Sequence, residues 1–253
     1  MRVPGATIEA WRSRLPEISP WRAALLALAV LLVPVAFVLV IPHPLGQPFG
    51  VDRDLYLGVT RRWLDGGPYF EPYQLSGPYD IRAGDVLYPP VALLLFAPFA
   101  LGGVLGSIAW YVLPLAGTAW CVARLRPRPI VWPLLALCAT NPTTLLKIWT
   151  GNPVMWSMLA VALATVGPRW RAAAPFALLK PSLAPFALFG ANRRSWWLGA
   201  AVLVALSVPF GSLWADWIAS VANSRGGGLL YSALEIPILA LPLVAWVGRS
   251  RVG

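Results

Sequence analysis

Apolar runs close to the ~18–20 residues that cross a bilayer recur along the whole chain, and most stop at a short cluster of arginines. A backbone in lipid must satisfy its own hydrogen bonds, and a continuous apolar run does so as a helix. The expected fold class is therefore an all-α polytopic membrane protein. Composition agrees: 58% of residues are hydrophobic and 12% charged, against a charged share of about a quarter in soluble domains. The net charge of +10 does not point to nucleic acid. Its arginines sit at the ends of apolar runs, as the positive-inside rule expects, and no basic patch interleaved with stacking aromatics lies outside them. Cys121 and Cys138 fall within apolar runs with no partner at metal or redox spacing, and read as small buried hydrophobes.

Arginine placement gives the expected topology. Residues 1–20 form a cytoplasmic leader, and residues 21–251 a single transmembrane domain with an outer loop over 42–87. The run Trp21 to Ile41 has no small-residue cleavage site after it and reads as a retained span. Tyr88-Pro89-Pro90 opens a run too short to cross, read as re-entrant, so that Val104 to Ala123 ends inside at Arg124, Arg126 and Arg128. Pro129 to Leu146 runs outward and Pro153 to Gly167 inward. The next stretch is split by Lys180-Pro181 into two half-helices with both ends inside. Trp196 to Trp214 runs outward, Asp216 to Gly228 is an outer loop, and Leu229 to Val247 returns. About six full spans and two partial elements put every arginine cluster, and both termini, on the inner face of the cytoplasmic membrane. There is no fixed-period repeat and no inverted pair of broken helices of the kind many transporters carry.

The one long polar stretch is Gly50 to Pro90, which holds six of the ten acidic residues. Its Asp52 to Asp65 part has helical spacing, with Leu55, Tyr56, Val59 and Trp63 on one face. Arg53, Thr60, Arg61 and Leu64 fall off that face, which suits a helix lying in the membrane interface. Gly66-Gly67-Pro68 ends it, and Tyr69 to Asp85 looks irregular. Asp52 and then Asp54 are the candidate general bases, since acid–base chemistry needs a carboxylate near the reacting hydroxyl; capping of the following helix is the plain alternative. Two residues apart, they point in different directions. Lys180, a cation within an apolar stretch, needs a cavity and a partner, of which a phosphate is one. Lys147 is interfacial, and Arg225 before Gly226-Gly227-Gly228 could meet an anion. Glu235 lies near the outer end of the last run, with Asp216 at the outer boundary. His43 is alone, and the scattered tryptophans suit an interfacial belt. No Walker A loop, GxGxxG, HExxH or Cys/His cluster occurs.

The order of these features resembles glycosyltransferase family 87, polyprenyl-phosphate-mannose-dependent mannosyltransferases of the GT-C fold, many from mycobacteria and related bacteria. The matching residues are Asp52 with Tyr56, Gly66-Gly67, Tyr69 and Tyr88-Pro89-Pro90, then Gly151-Asn152 where the family has Gly-Gln. Lys180-Pro181 and Arg193-Arg194-Ser195-Trp196 follow. The resemblance runs over about residues 20 to 217, and members usually continue with further spans, so it is to a short member. It implies a GT-C-like bundle in which an acceptor hydroxyl attacks the anomeric carbon with inversion. Asp52 takes the proton, and Lys180 or Lys147 holds the lipid phosphate. Tyr56, Tyr88, Asn152, Arg225 and Glu235 complete the candidate substrate site. The implied partners are a polyprenyl-phosphate sugar donor, a glycolipid or glycan acceptor, the lipid bilayer and, as a further candidate, a membrane partner subunit. No cofactor and no metal are implied. Two other classes compete: a non-catalytic polyprenyl-lipid-binding or scaffold protein of the cell envelope, and a small transporter or flippase using Lys180 and Glu235.

Overall fold

The structure, a computed structural model, describes residues 16–40, 46–82, 84–225 and 235–250, without the side chains of 33 and 35–40. His43, most of the leader and Gly226-Gly227-Gly228 lie outside the described residues. The described chain is all-α, its one sheet a parallel pairing of Tyr79–Asp80 (β1) with Ser224–Arg225 (β2). Helix α1 covers Pro20–Val40, and α2, Val51–Leu64, is the helix expected in the polar loop. The rest of that loop is irregular save for one turn, α3 at Pro72–Leu75, and β1. A 3₁₀ turn at Pro90–Ala92 leads into the short α4, Leu93–Leu101, which reverses at Gly102-Gly103 into α5, Gly103–Leu125.

Among the described residues α5 is the one helix long and apolar enough to cross a membrane alone, or there are up to three such spans if each bent pair counts as one. The expected straight run from Pro129 to Leu146 is such a pair. A 3₁₀ turn at Pro129–Val131 and α6, Trp132–Thr140, are followed by α7, Pro142–Thr150, at an angle of 52°. The cause is local. A residue before proline is pushed out of helical conformation, and Asn141 sits at φ −53°, ψ 135°. Its Oδ1 then accepts from the Thr143 N–H at 3.0 Å, capping a new helix that has Pro142 in its first turn.

The break at Lys180-Pro181 is present, but its flanks are not two α-helical halves. A long 3₁₀ segment, Arg169–Leu179, stops at Lys180 (φ −121°, ψ 96°), and Pro181–Leu183 with α9, Ala184–Ala187, follows. The run from Trp196 also turns earlier than expected. Helix α10, Arg194–Ser207, and a 3₁₀ turn to Phe210 meet α11, Leu213–Asn223, at 96°, so most of the expected outer loop from Asp216 is helical. Helix α12 spans Ile236–Val247.

Helix α8, Val154–Val166, is the axis of the bundle, buried almost all round among α5, α12 and the 169–179 segment. A helix apolar on every face belongs at such a centre. Small residues set the spacing: a Cβ on Gly117 would stand 2.7 Å from Leu159 Cδ1 of α8. Over it lies an aromatic layer of Tyr56, Tyr88, Phe96, Phe99, Trp110 and Trp156. The periphery is apolar and exposed, as at Leu101, Val104, Leu105 and Val208, a surface suited to lipid rather than water.

Helix α2 is docked on the bundle. Leu57, Val59 and Thr60 are buried, and Arg61 Nε donates to the Ala100 carbonyl at 2.8 Å, fastening α2 to α4. Thr60 therefore lies inside rather than off the packed face, its hydroxyl bonded to the Tyr56 carbonyl at 2.7 Å.

Candidate active site

The site forms where α2 starts beside the end of α7. Gly151 takes a left-handed conformation (φ +72°) and closes α7. The Gly151 N–H donates to the Ile148 carbonyl at 3.1 Å, and the Asn152 N–H to the Lys147 carbonyl at 2.9 Å, the pairing of a Schellman cap. Trp110 Nε1 holds the Gly151 carbonyl at 2.8 Å. Gly50, also left-handed at φ +76°, opens α2, and its N–H donates to the Trp149 carbonyl at 3.0 Å. Trp149 Nε1 returns a bond to the Gln47 carbonyl at 2.8 Å. The polar loop is thus stapled to the helix end carrying Asn152, and Asp52 faces it.

Asp52 does not cap its helix: the N-cap position is Gly50, with no side-chain capping bond, and Asp52 lies inside the first turn. Its Oδ2 accepts from Thr150 Oγ1 at 2.8 Å and from Asn152 Nδ2 at 2.7 Å. Among the described residues nothing bonds to Oδ1, and the side chain is only half-buried. Such a carboxylate has a fixed orientation and a free lone pair. Asn152 Oδ1 accepts from the Val154 N–H at 3.1 Å and from the Tyr88 hydroxyl at 3.5 Å. Tyr88 in turn packs edge-on to Tyr56, with ring centroids 4.9 Å apart.

Through Tyr88 the layer continues to two cations that share one carboxylate oxygen. Lys180 Nζ is 5.8 Å from its ring centroid and hydrogen-bonds Glu235 Oε1. Lys147 Nζ, from the last turn of α7, stands 3.5 Å from the same oxygen. Glu235 is 1% exposed and immediately precedes α12 rather than lying inside a span. Seven of the residues singled out in the sequence, Asp52, Tyr56, Tyr88, Lys147, Asn152, Lys180 and Glu235, therefore form one connected layer.

Two do not join it. Asp54 is exposed (64% for its side chain) and paired with Arg53 at 2.7 Å. Arg225 is exposed and lies in β2 opposite Asp80. Thr150 is the contact that sequence reasoning missed; the hydroxyl just before Gly151-Asn152 was its only signal. In the outer part of the loop the Tyr73 hydroxyl donates to Asp85 Oδ1, and Arg82 N–H to Asp85 Oδ2 at 2.7 Å. The bond to the Asp85 carboxylate, with burial and that carboxylate's charge, pushes Tyr73 up to about 12. The phenol therefore stays neutral and donating through physiological pH, and the contact is lost only as pH rises through that value. Among the described residues no group of three His, Cys, Asp or Glu side chains could hold a metal ion.

Gly151 gives a test of the scaffold. A Cβ there would lie 2.6 Å from the Tyr111 hydroxyl and 2.8 Å from Arg53 Cβ, at a backbone angle L side chains avoid. Gly151→Ala is expected to cost at least about 1–2 kcal/mol from the left-handed conformation alone. It should lower the thermal midpoint and displace Asn152 from Asp52; an unchanged midpoint would mean that the cap does not need glycine.

These features define an apolar α-helical protein with a half-buried carboxylate and, in the same connected layer, two lysines that share a buried glutamate. Sequence comparison finds similarity to two proteins named as mannosyltransferases. The chain is 31% identical over 174 residues to the polyprenol-phosphate-mannose-dependent alpha-(1-2)-phosphatidylinositol mannoside mannosyltransferase of Mycobacterium tuberculosis, covering 63% of this chain and 36% of that protein. It is 31% identical over 129 residues to the Mycolicibacterium smegmatis protein of the same name, covering 48% of this chain and 25% of that protein. The chain thus spans about a third or less of the length of these relatives. No family model matches the chain, and no solved structure matches it. The resemblance to polyprenyl-phosphate-mannose-dependent mannosyltransferases read from the order of the motifs is borne out over the matched part of the chain.

Proposed function

We propose that this protein is an integral-membrane mannosyltransferase of GT-C type, moving mannose from a polyprenyl-phosphate donor to a glycolipid acceptor on the outer face of the cytoplasmic membrane. The observation that carries the reading is Asp52, oriented through Oδ2 by Thr150 and Asn152 with no bond to Oδ1 among the described residues, in one layer with Lys147 and Lys180. The names of the two relatives support the donor and suggest a phosphatidylinositol mannoside as acceptor.

In this reading the acceptor hydroxyl loses its proton to Asp52 Oδ1 as its oxygen bonds to the anomeric carbon from the face opposite the phosphate. The bond from that carbon to the phosphate oxygen breaks with its electron pair, inverting the configuration. The lipid phosphate leaves against Lys180 and Lys147, which stabilise charge where it develops. The Tyr88 and Tyr56 rings would floor the sugar site. An apolar cavity of ≈ 790 Å³ between α1, α5, α6 and α7 includes Thr144 and Ile148, on either side of Lys147 in α7, and would take part of the lipid chain.

The arginines are the basis for six spans and two partial elements with both ends inside; among the described residues one helix, or up to three spans if each bent pair counts as one, is long and apolar enough to cross. Asp54 and Arg225 take no part in the chemistry here. The experiment is sugar transfer from radiolabelled polyprenyl-phosphate mannose in membranes expressing this chain, against untransformed membranes. Label in a lipid-linked product is the expected result; no product across several mannolipid acceptors would overturn the reading.

A further inference from the structure

Glu235 is an unusual residue to place beside an anion site, because a carboxylate competes with a phosphate for the same cations. Its Oε1 meets both lysines, and its Oε2 is buried without a hydrogen-bond partner among the described residues. Buried polar atoms seldom stay unpaired. Among the described residues the hydrogen-bonding and ionic contacts of this carboxylate are those with the two lysines, so its charge acts chiefly on them.

Charge gives this arrangement a direction. Lys147, Lys180 and Glu235 together carry a formal +1. A sugar-bearing phosphodiester carries −1, whereas the phosphomonoester left after transfer carries about −1.5 to −2 near neutral pH. The three residues neutralise the first and are over-matched by the second. Without Glu235 the pair would carry +2, which matches the spent lipid phosphate instead.

Resting on the anion site of the reading above, we infer that Glu235 is a positioning residue that tunes the two lysines to a phosphodiester and expels the phosphomonoester product. The carboxylate holds both ammonium groups in register when no ligand is bound. Its charge, added to those of the lysines, leaves a net +1 that a monoanion neutralises and a dianion exceeds. It touches neither the sugar nor the acceptor in this role.

The test measures binding without turnover. Purified protein in nanodiscs is titrated at pH 8 with farnesyl phosphate and with farnesyl methyl phosphodiester. Wild type is expected to bind the diester at least as tightly as the monoester. Glu235→Gln, which keeps the shape and removes the charge, should bind the monoester on the order of tenfold more tightly, since one unit of charge at contact distance is removed. Its diester affinity should rise only about threefold, since the diester carries about half the charge. Glu235→Asp keeps the charge and should keep the wild-type order of preference.

A gain of affinity is not what a damaged fold produces, so the result separates tuning from scaffolding. A Gln variant that weakens both ligands, or leaves their ratio unchanged, overturns the inference. So does an Asp variant that gains monoester affinity as the Gln variant does. Should the Gln variant fail to fold, a wild-type preference of about tenfold or more for the monoester overturns it just as well. None of these outcomes depends on sugar transfer, so a failure of the mannosyltransferase reading shows separately, in the radiolabel assay.

Discussion

Asp52→Asn is expected to reduce sugar transfer by about 10²–10⁴-fold, the range spanned by a positioned general base. Asparagine occupies the same volume and still offers an oxygen to Thr150 and Asn152, which now hold Asp52 at 2.8 and 2.7 Å. The loss should therefore fall on kcat, with donor KM little changed and expression equal to wild type. Asp54→Asn is the matched control: its carboxylate is exposed and engaged with Arg53, and transfer should stay within about twofold, as for surface changes away from special features. Robust transfer by the Asp52 variant would remove the base from this position, and equal losses in both would point to the charge of the loop as a whole.

Lys180→Met is the second large effect, and it acts on stability as well as activity. It leaves Glu235 buried with Lys147 alone, 3.5 Å from the same oxygen. Removing one partner of a buried ion pair costs about 3–5 kcal/mol, and the remaining lysine puts this case at the lower end. The unfolding midpoint in detergent should drop by several degrees, and donor KM should rise. Lys180→Met combined with Glu235→Leu removes the buried carboxylate but also takes it from Lys147, so it should recover only part of the stability and none of the donor binding. If the single variant is as stable as wild type, the lysine is solvated and its pairing with Glu235 contributes nothing to the fold.

The sequence pattern reached much of this site because its members are conspicuous in apolar surroundings. A lysine before Pro181, a glutamate near a run's end and an aspartate ahead of an apolar-periodic helix each carry a cost that demands a partner. What no spacing could give was which partner. Thr150 and Asn152 meet Asp52 only because Gly50 and Gly151 both take left-handed turns and the two turns are stapled together. The same limit applied to element shape. Apolar runs in the sequence looked uninterrupted across Asn141-Pro142 and from Trp196 to Trp214, yet the chain bends by 52° and 96° there. A proline in an apolar run can kink a helix or end it, and packing with neighbouring helices decides between them. Helix α2 was legible in extent and not in setting: its apolar face suits a lipid interface or a protein groove equally well, and α4 supplies the groove.

The polar loop is moored at two separate places. Its first part, with Asp52, is tied to the end of α7 through Gly50 and Trp149. Its later part is tied to α11, where Asn223 Nδ2 donates to the Gln74 carbonyl at 3.0 Å and the Tyr79 hydroxyl reaches the Ser220 carbonyl at 3.0 Å. A loop with two moorings divides its labour. Residues between Tyr69 and Asp85 take their position from α11, while Asp52 takes its bearings from α7. A change at one mooring therefore leaves the hydrogen bonds of the other in place.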